Sequence, residues 1–527
     1  MAYFSEIKVM ADAPRFHARH RPGETALIMD DRVTTYASFD RHTSMVANGL
    51  AALGVKPGAR IAFLDKNSDH YFEILFGAAK ANVVTVALNW RLAAPELAYI
   101  INDAGAEVLF VGAPFYALAE KLKADIPCVR HIIAMQGGHP GFEAYEIFRD
   151  SQSAIDPHLP ASPDDVFVQM YTSGTTGHPK GVMLSNHNFL AGRAASANTD
   201  ETAFMQLNPG DPSLVAMPVF HIGGSGWGAS GLYSGAKNIV LAEFTPPGVL
   251  KAIQDYRVGH FFIVPAAMKF VMDDPACAQT DFSSLICILY GASPIPLDLL
   301  RRAMDVFKCG FVQVYGLTET TGSVTYLPPE DHDPNGNARM RSAGKPLPGV
   351  KIKIAGADGV ELPRGEVGEI CVHGHGVMPG YWKLPDATRK SFTDDGWFRS
   401  GDAGYMDKDG YVYVHDRVKD MIVSGGENIY PAEVESAIFG HPAIADVAVI
   451  GVPDDKWGET VKAIVVLKPG ATASADDIMG FARTRIAGFK CPRSVDFVSA
   501  LPRNPSGKIL KRELRAPYWQ GRDRQVN

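Results

Sequence analysis

Along the first 160 residues, short continuous apolar runs alternate with longer amphipathic segments. ALGVKPGARIAFLD reads as a turn followed by a strand, HYFEILFGAAKAN as a helix and VVTVALN as a second strand. Such alternation predicts a parallel sheet covered on both faces. The rhythm resumes in FFIVP, ICILYGAS and FVQVYGLTE, apolar runs that end in small or polar residues, and in sheets of this kind ligands collect beyond the carboxyl ends of the strands. From Val350 the texture changes to short Gly-punctuated strands (VKIKIAGADG, GEVGEICVHG, GYMDKDGYVYVHDR), which predicts an antiparallel, β-rich subdomain. After Arg417, AEVESAIFG and ADDIMGFARTRI read as helices and ADVAVIGV and VKAIVVLK as strands. The expected fold class is therefore α/β: a large N-terminal body with mixed and parallel sheets and a β-rich subdomain, then a small α+β C-terminal domain, with the boundary at residues 417–420.

A chain of 527 residues is long enough for about three or four folding units. Its 51 basic and 58 acidic side chains leave a net charge of −7, which argues against a general nucleic-acid binder. The last forty-seven residues, however, carry eleven basic and three acidic side chains, so an anionic partner and a plain solvated surface are both open there. The six cysteines lie far apart with no C-x-x-C spacing, which excludes the common zinc and redox motifs and suits a reducing compartment. MAYFSEIKVMADAPRF lacks the basic and apolar regions of a secretory signal, so a cytoplasmic location is expected. Residues 214–236 contain no Asp, Glu, Lys or Arg and are long enough to cross a bilayer. They also contain Pro218, His221 and six glycines, which suit loops and close backbone approach; no transmembrane span is expected, and peripheral membrane contact stays open.

The segment Tyr171-Thr172-Ser173-Gly174-Thr175-Thr176-Gly177-His178-Pro179-Lys180-Gly181 follows the strand-like VFVQM. Its glycines permit a tight turn with converging amide N–H groups, its hydroxyls add donors and Lys180 adds positive charge, a composition that can wrap a polyphosphate. It is not a Walker A loop, because Lys180 comes three residues after Gly177 and is followed by Gly181.

That string, followed in order by Tyr315-Gly316-Leu317-Thr318-Glu319, Ser400-Gly401-Asp402, Asp416-Arg417-Val418-Lys419-Asp420 and Pro505-Ser506-Gly507-Lys508, resembles the adenylate-forming superfamily of acyl-CoA synthetases, luciferases and nonribosomal adenylation domains. The resemblance spans essentially the whole chain and is strongest to bacterial fatty-acyl-CoA synthetases. It implies a two-step reaction that uses ATP, Mg2+ and coenzyme A: a carboxylic acid attacks the α-phosphate of ATP, and a thiol then displaces AMP. Thr172, Ser173, Gly174, Thr175, Thr176, Gly177 and Lys180 would hold the outer phosphates, Thr318 the α-phosphate and Glu319 the Mg2+, a cation that prefers oxygen ligands. Gly291, Ala292, Ser293, Tyr315 and Gly316 would receive the base, with Asp402 and Arg417 at the ribose. Lys508 would be the catalytic lysine of adenylation. Lys419 would be the hinge about which a mobile C-terminal domain, residues 421–527, turns against the ATP- and acid-binding body, residues 1–416. That turn would bring in Gly425 and Gly426 beside the pantetheine. Taken alone, Thr318-Glu319 reads as a helix start, Tyr315 as a core aromatic, Asp402 as a turn residue and Gly425-Gly426 as a turn. Ser400 stands where relatives often have threonine, and Asp416 where they often have glycine.

Pro218-Val219-Phe220-His221-Ile222-Gly223-Gly224-Ser225-Gly226-Trp227 resembles the family's acyl-site segment, with His221 as an aromatic gate. His221 follows Phe220 where amino-acid-activating relatives usually carry an aspartate, which disfavours a zwitterionic substrate. The glycines predict an apolar channel for an alkyl chain, whereas Trp227 could equally floor a short or aryl-acid pocket. The expected activity is an ATP-dependent carboxylic acid:CoA ligase for medium- or long-chain fatty acids. The alternatives are an aryl or alicyclic acid, or adenylation without transfer to CoA. The expected partners are small molecules, a homodimer being allowed and nucleic acid not expected.

Overall fold

The computed structural model describes residues 3–172, 178–197, 199–417, 420–425, 427–503 and 509–520. Ser173, Gly174, Thr175, Thr176, Gly177, Lys419, Gly426 and Lys508 lie outside these residues.

The described residues build four sheets. In an eight-stranded sheet the strands Arg60–Leu64, Val84–Ala87 and Ala106–Val111 run parallel, and the first two are buried along their whole length, as a sheet covered on both faces requires. The predicted helix between the first pair is Asp69–Lys80, capped by the Ser68 hydroxyl, which accepts from the His70 amide. A Cβ at Gly77 would lie 2.6 Å from Val46, so this helix and Tyr36–Ala52 pack at backbone range. The nine-stranded sheet has a parallel centre, including His260–Ile263, Cys287–Gly291 and Gly310–Leu317, and antiparallel strands at both edges. The four strands Val350–Ala355, Gly368–Gly374, Phe398–Met406 and Val412–Arg417 pair antiparallel throughout, as their texture predicts.

The remaining sheet has five strands, centred on Ile444–Asp454 and Gly458–Leu467 and covered by the helices Pro431–Phe439 and Ala475–Arg483. Ile422, Val434, Ile438, Val449, Ala463 and Ile478 give it a core of its own. The basic tail is answered from within the chain: Lys490 pairs with Glu433, Arg503 with Asp446, Lys511 with Glu435 and Arg515 with Asp420. Four of the tail's eleven basic side chains are thus paired within the chain.

The uncharged stretch 214–236 ends the strand Pro212–Val215 and continues as the glycine-rich helix Ile222–Ser234. Among the described residues no helix is long and apolar enough to cross a membrane.

Candidate active site

The strands Val166–Thr172 and Lys180–Ser185 pair antiparallel, with Thr172 facing Lys180. Lys180 opens the returning strand, and its Nζ stands 4.8 Å from the centre of the Tyr381 ring. Tyr381 reaches this point because Gly380–Tyr381 adds as a short strand to the outer edge of this pair, opposite Met183 and Val182. Its hydroxyl donates to Glu319 Oε1 at 3.0 Å, and the Met378 amide donates to the Glu319 carbonyl at 2.8 Å. Lys180, Tyr381 and Glu319 therefore form a continuous polar line.

Glu319 is held in place by the chain around it. Strand Gly310–Leu317 runs into the 3-10 turn Thr318–Thr320 and returns as Gly322–Leu327. Thr320 Oγ1 accepts from the Leu317 amide at 2.9 Å, and Thr321, at φ +56°, donates to the Gly376 carbonyl at 2.7 Å. A Cβ at Gly316 would fall 1.7 Å from the Gly322 carbonyl oxygen, so only glycine permits this return. Among the described residues no group of three or more His, Cys, Asp or Glu side chains could hold a metal ion. A carboxylate has several acceptor positions, so Glu319, steadied at one oxygen by Tyr381, fits as a single protein ligand to a Mg2+ whose other ligands come from phosphates and water.

The residues expected to receive the nucleoside lie at the carboxyl ends of two neighbouring parallel strands, where Gly291 pairs with Val314. A Cβ at Gly291 would lie 2.1 Å from the Val314 carbonyl oxygen. Ala292, the next residue, is exposed at φ +66°, an uncommon conformation for a residue with a side chain and one found at ligand clamps. Tyr315 leaves the adjoining strand with its hydroxyl donating to Asp402 Oδ2 at 2.7 Å. Asp402 is buried; its amide donates to Ser400 Oγ at 3.0 Å, and across the antiparallel pair it stands opposite Arg417. The structure thus brings Gly291, Ala292, Tyr315, Asp402 and the Arg417 position together. Gly425 is a turn residue at φ +62°, packed so closely on Trp457 that a Cβ would meet the ring at 2.5 Å.

At the acid end, His221 is the N-cap residue of the glycine-rich helix, its ring 4.6 Å from Phe220. Burial, helped by Arg91, lowers its pKa to about 4, so the imidazole is neutral at physiological pH. Its Nε2 is buried without a hydrogen-bond partner. Trp90 packs edge-on against Phe220, and the Arg91 guanidinium lies 4.4 Å from the Trp90 ring centre.

The expected glycine-lined channel is not what these glycines make. A Cβ at Gly223 would strike Phe262, at Gly224 the Pro218 carbonyl, at Gly228 the Phe72 ring and at Gly231 Asn238, all within 3 Å. The missing side chains are replaced by neighbours, and the glycines serve close packing. A small cavity of about 20 Å³ instead lies further along the helix, beside Trp227.

Tyr381, Trp90 and Arg91 are absent from the sequence-derived set. For Tyr381 the available signal was the Gly-Tyr-Trp run after Pro379, an aromatic pair in a turn with no core periodicity around it.

Residues 15–382 match the AMP-binding enzyme family model, and residues 433–508 match the AMP-binding enzyme C-terminal domain. The chain is 40% identical over 522 residues to a fatty acid–[acyl-carrier-protein] ligase, ScoC, of Streptomyces coeruleorubidus, covering 99% of each. It is also 40% identical over 510 residues to a feruloyl-CoA synthase of an Amycolatopsis species, covering 96% of this chain and 98% of that one. Among solved structures, the anthranilate CoA ligase AuaEII in complex with anthranoyl-AMP matches with a TM-score of 0.89 at 26% identity, over 98% of this chain and 97% of that one. With the AMP-binding model matched over residues 15–382, its C-terminal domain over 433–508 and a relative 40% identical over nearly the whole chain, the chain belongs to the AMP-binding, adenylate-forming enzymes.

Proposed function

We propose that this chain is an ATP-dependent carboxylic acid:CoA ligase that works through an acyl-adenylate. In the first half-reaction a carboxylate oxygen of the acid bonds to the α-phosphorus of ATP and pyrophosphate leaves. In the second, the CoA sulfur bonds to the acyl carbon, the bond to AMP breaks and the thiol proton passes to solvent. Charge builds on phosphate oxygens, so the protein's task is placing donors and cations more than moving protons.

The observation that carries this reading is the line from Lys180 through Tyr381 to Glu319. In it, Lys180 and residues 173–177 hold the outer phosphates, Thr318 donates to the α-phosphate, and Tyr381 orients Glu319. Glu319 would hold Mg2+, which supplies charge neutralisation at the phosphates. Tyr315, Asp402 and Arg417 receive the nucleoside. Lys508, carried by residues 421–527, serves adenylation alone. The C-terminal domain then pivots at Lys419, within a hinge at 417–420, and presents Gly425 and Gly426 to the pantetheine.

For the acid, the reading is a medium- or long-chain fatty acid. A compact aryl acid is the second reading, favoured by Trp227 and Phe262 packing in one cluster with Tyr315. A cytoplasmic setting belongs to the same reading and is supported by six cysteines that are all free thiols.

The test is AMP release from ATP and Mg2+ with a panel of acids, with and without CoA. Release that needs both an acid and CoA is expected, and an enzyme that forms pyrophosphate but ignores CoA would overturn the thioester half.

A further inference from the structure

The strand that leads into residues 173–177 stands on a circuit of polar groups that the reaction as described does not use. Gln169 and Tyr171 lie two residues apart on the strand Val166–Thr172 and so share a face. The Tyr171 hydroxyl donates to Asp103 Oδ2 at 2.5 Å, Gln169 Nε2 donates to the Tyr171 hydroxyl at 3.0 Å, and Arg60 Nε donates to Gln169 Oε1 at 3.3 Å. Every donor in this row points the same way, from a guanidinium to a carboxylate, the arrangement in which hydrogen bonds polarise and strengthen one another. The Arg60 guanidinium in turn lies 3.4 Å from the Trp382 ring centre. The Trp382 indole N–H donates to the Asp103 carbonyl at 2.9 Å, which closes the circuit. Arg60 and Gln169 are buried, and Asp103, Tyr171 and Trp382 are half-buried.

The five residues come from distant parts of the chain and meet where the ligase reading places the polyphosphate. Gly181, next to Lys180, pairs with Tyr171; a Cβ there would lie 2.6 Å from Gln169 Nε2 and push the amide off the Tyr171 hydroxyl. The Gly181 carbonyl accepts from the Trp382 amide at 2.7 Å, and Trp382 follows Tyr381, whose hydroxyl holds Glu319. Tyr99, one turn before Asp103 on the helix Ala94–Ala104, stacks on His178 with ring centres 4.7 Å apart. One turn of helix thus grips the strand entering residues 173–177 through Tyr171, the chain leaving them through His178, and the segment carrying Tyr381 through Trp382. A fully satisfied polar network adds a fixed geometry to what apolar packing alone would give.

We propose that Arg60, Asp103, Gln169, Tyr171 and Trp382 are positioning residues for the nucleotide. They set the spacing between the phosphate-holding residues 173–177 and Lys180 on one side and the Tyr381–Glu319 pair on the other. This rests on the ligase reading, in which those two groups meet the outer phosphates of ATP. Its signature is discrimination between nucleotides: ATP binding depends on the circuit, whereas AMP, which lacks the outer phosphates, is indifferent to it.

The experiment titrates the full chain with ATP and with AMP, each with Mg2+, by calorimetry. Tyr171→Phe keeps the ring and removes both hydrogen bonds of the hydroxyl, and Asp103→Ala removes the carboxylate that ends the row. Each should raise the Kd for ATP about tenfold and leave the Kd for AMP unchanged. The double variant should bind ATP no more weakly than the weaker single, because either change opens the same circuit. Equal losses for ATP and AMP would reduce the five residues to a support of the fold, and unchanged ATP affinity would deny them any part in binding. Additive losses in the double variant would dissolve the circuit into separate contacts; each of these results overturns the proposal. If Tyr171→Phe fails to fold, the ATP-to-AMP ratio of Asp103→Ala decides. A wild-type chain that binds neither nucleotide overturns the ligase reading and this inference with it, whereas wild-type binding of both with a ratio unmoved by the variants removes this inference alone.

Discussion

Tyr381→Phe isolates one hydroxyl in the candidate site. The ring that Lys180 approaches at 4.8 Å is retained, as is the short strand that places it, and what is lost is the 3.0 Å hydrogen bond to Glu319 Oε1. A hydrogen bond to a charged group contributes about 1.5 to 3 kcal/mol, which at 1.4 kcal/mol per decade is roughly a 10- to 100-fold effect. The same range describes the loss of groups that orient a metal ligand. The expected result is a 10- to 100-fold fall in acid-dependent ATP–pyrophosphate exchange, together with a rise in the Mg2+ concentration needed for half-maximal rate. The Mg2+ titration is the informative arm, because a loosened fold would lower activity without moving that midpoint. Near-wild-type exchange with an unshifted midpoint would refute the placement of Glu319 at the metal and of Tyr381 as its positioning residue.

Tyr315→Phe removes the 2.7 Å hydrogen bond to Asp402 and should raise the KM for ATP about tenfold with a smaller change for the acid, measured by varying each in turn. Lys508→Ala should lower adenylate formation by roughly 10²- to 10³-fold while leaving thioester formation from supplied acyl-adenylate intact; equal loss in both half-reactions would contradict its assignment. His17 and His332 are buried and their pKa values are pushed down to about 4, so the unfolded chain takes up protons near pH 6.5 that the folded chain refuses. Their contribution is complete above pH 6.5 and is lost as pH falls towards 4, about 2 kcal/mol for each at pH 5. Thermal melts from pH 7 to 5 should show a falling Tm, and the slope should flatten when either histidine is replaced by glutamine.

Much of the fold was legible because its signals are local. Asp69–Lys80 carries a helix's apolar spacing and a serine cap, and residues 61–64 are an apolar run buried on both faces. Glu319 could be picked out because it sits in a contiguous string with Tyr315 and Thr318. What stayed hidden is what long-range pairing creates. Tyr381 meets Glu319 only because Gly380–Tyr381 joins the edge of a strand pair some two hundred residues earlier in the chain. The glycines of 223–231 announce that something approaches closely, but the identity of the neighbour, Phe262 or Phe72 or a backbone carbonyl, is set by other elements. Likewise the basic tail reads as a charged surface until Glu433, Glu435, Asp446 and Asp420 are seen opposite it.

The hairpin that joins Phe398–Met406 to Val412–Arg417 turns through residues 407–411, where the Asp407 side chain accepts from the Tyr411 amide and Gly410 adopts φ +85°. Since Asp402 faces Arg417 by register, one residue added to or taken from this bend would slide the two out of opposition and invert the faces of everything downstream. Length at this bend is therefore constrained more tightly than composition. A homologue could vary its charges there freely, but a single-codon insertion would uncouple Asp402 from the strand end at Arg417 that leads into the C-terminal unit.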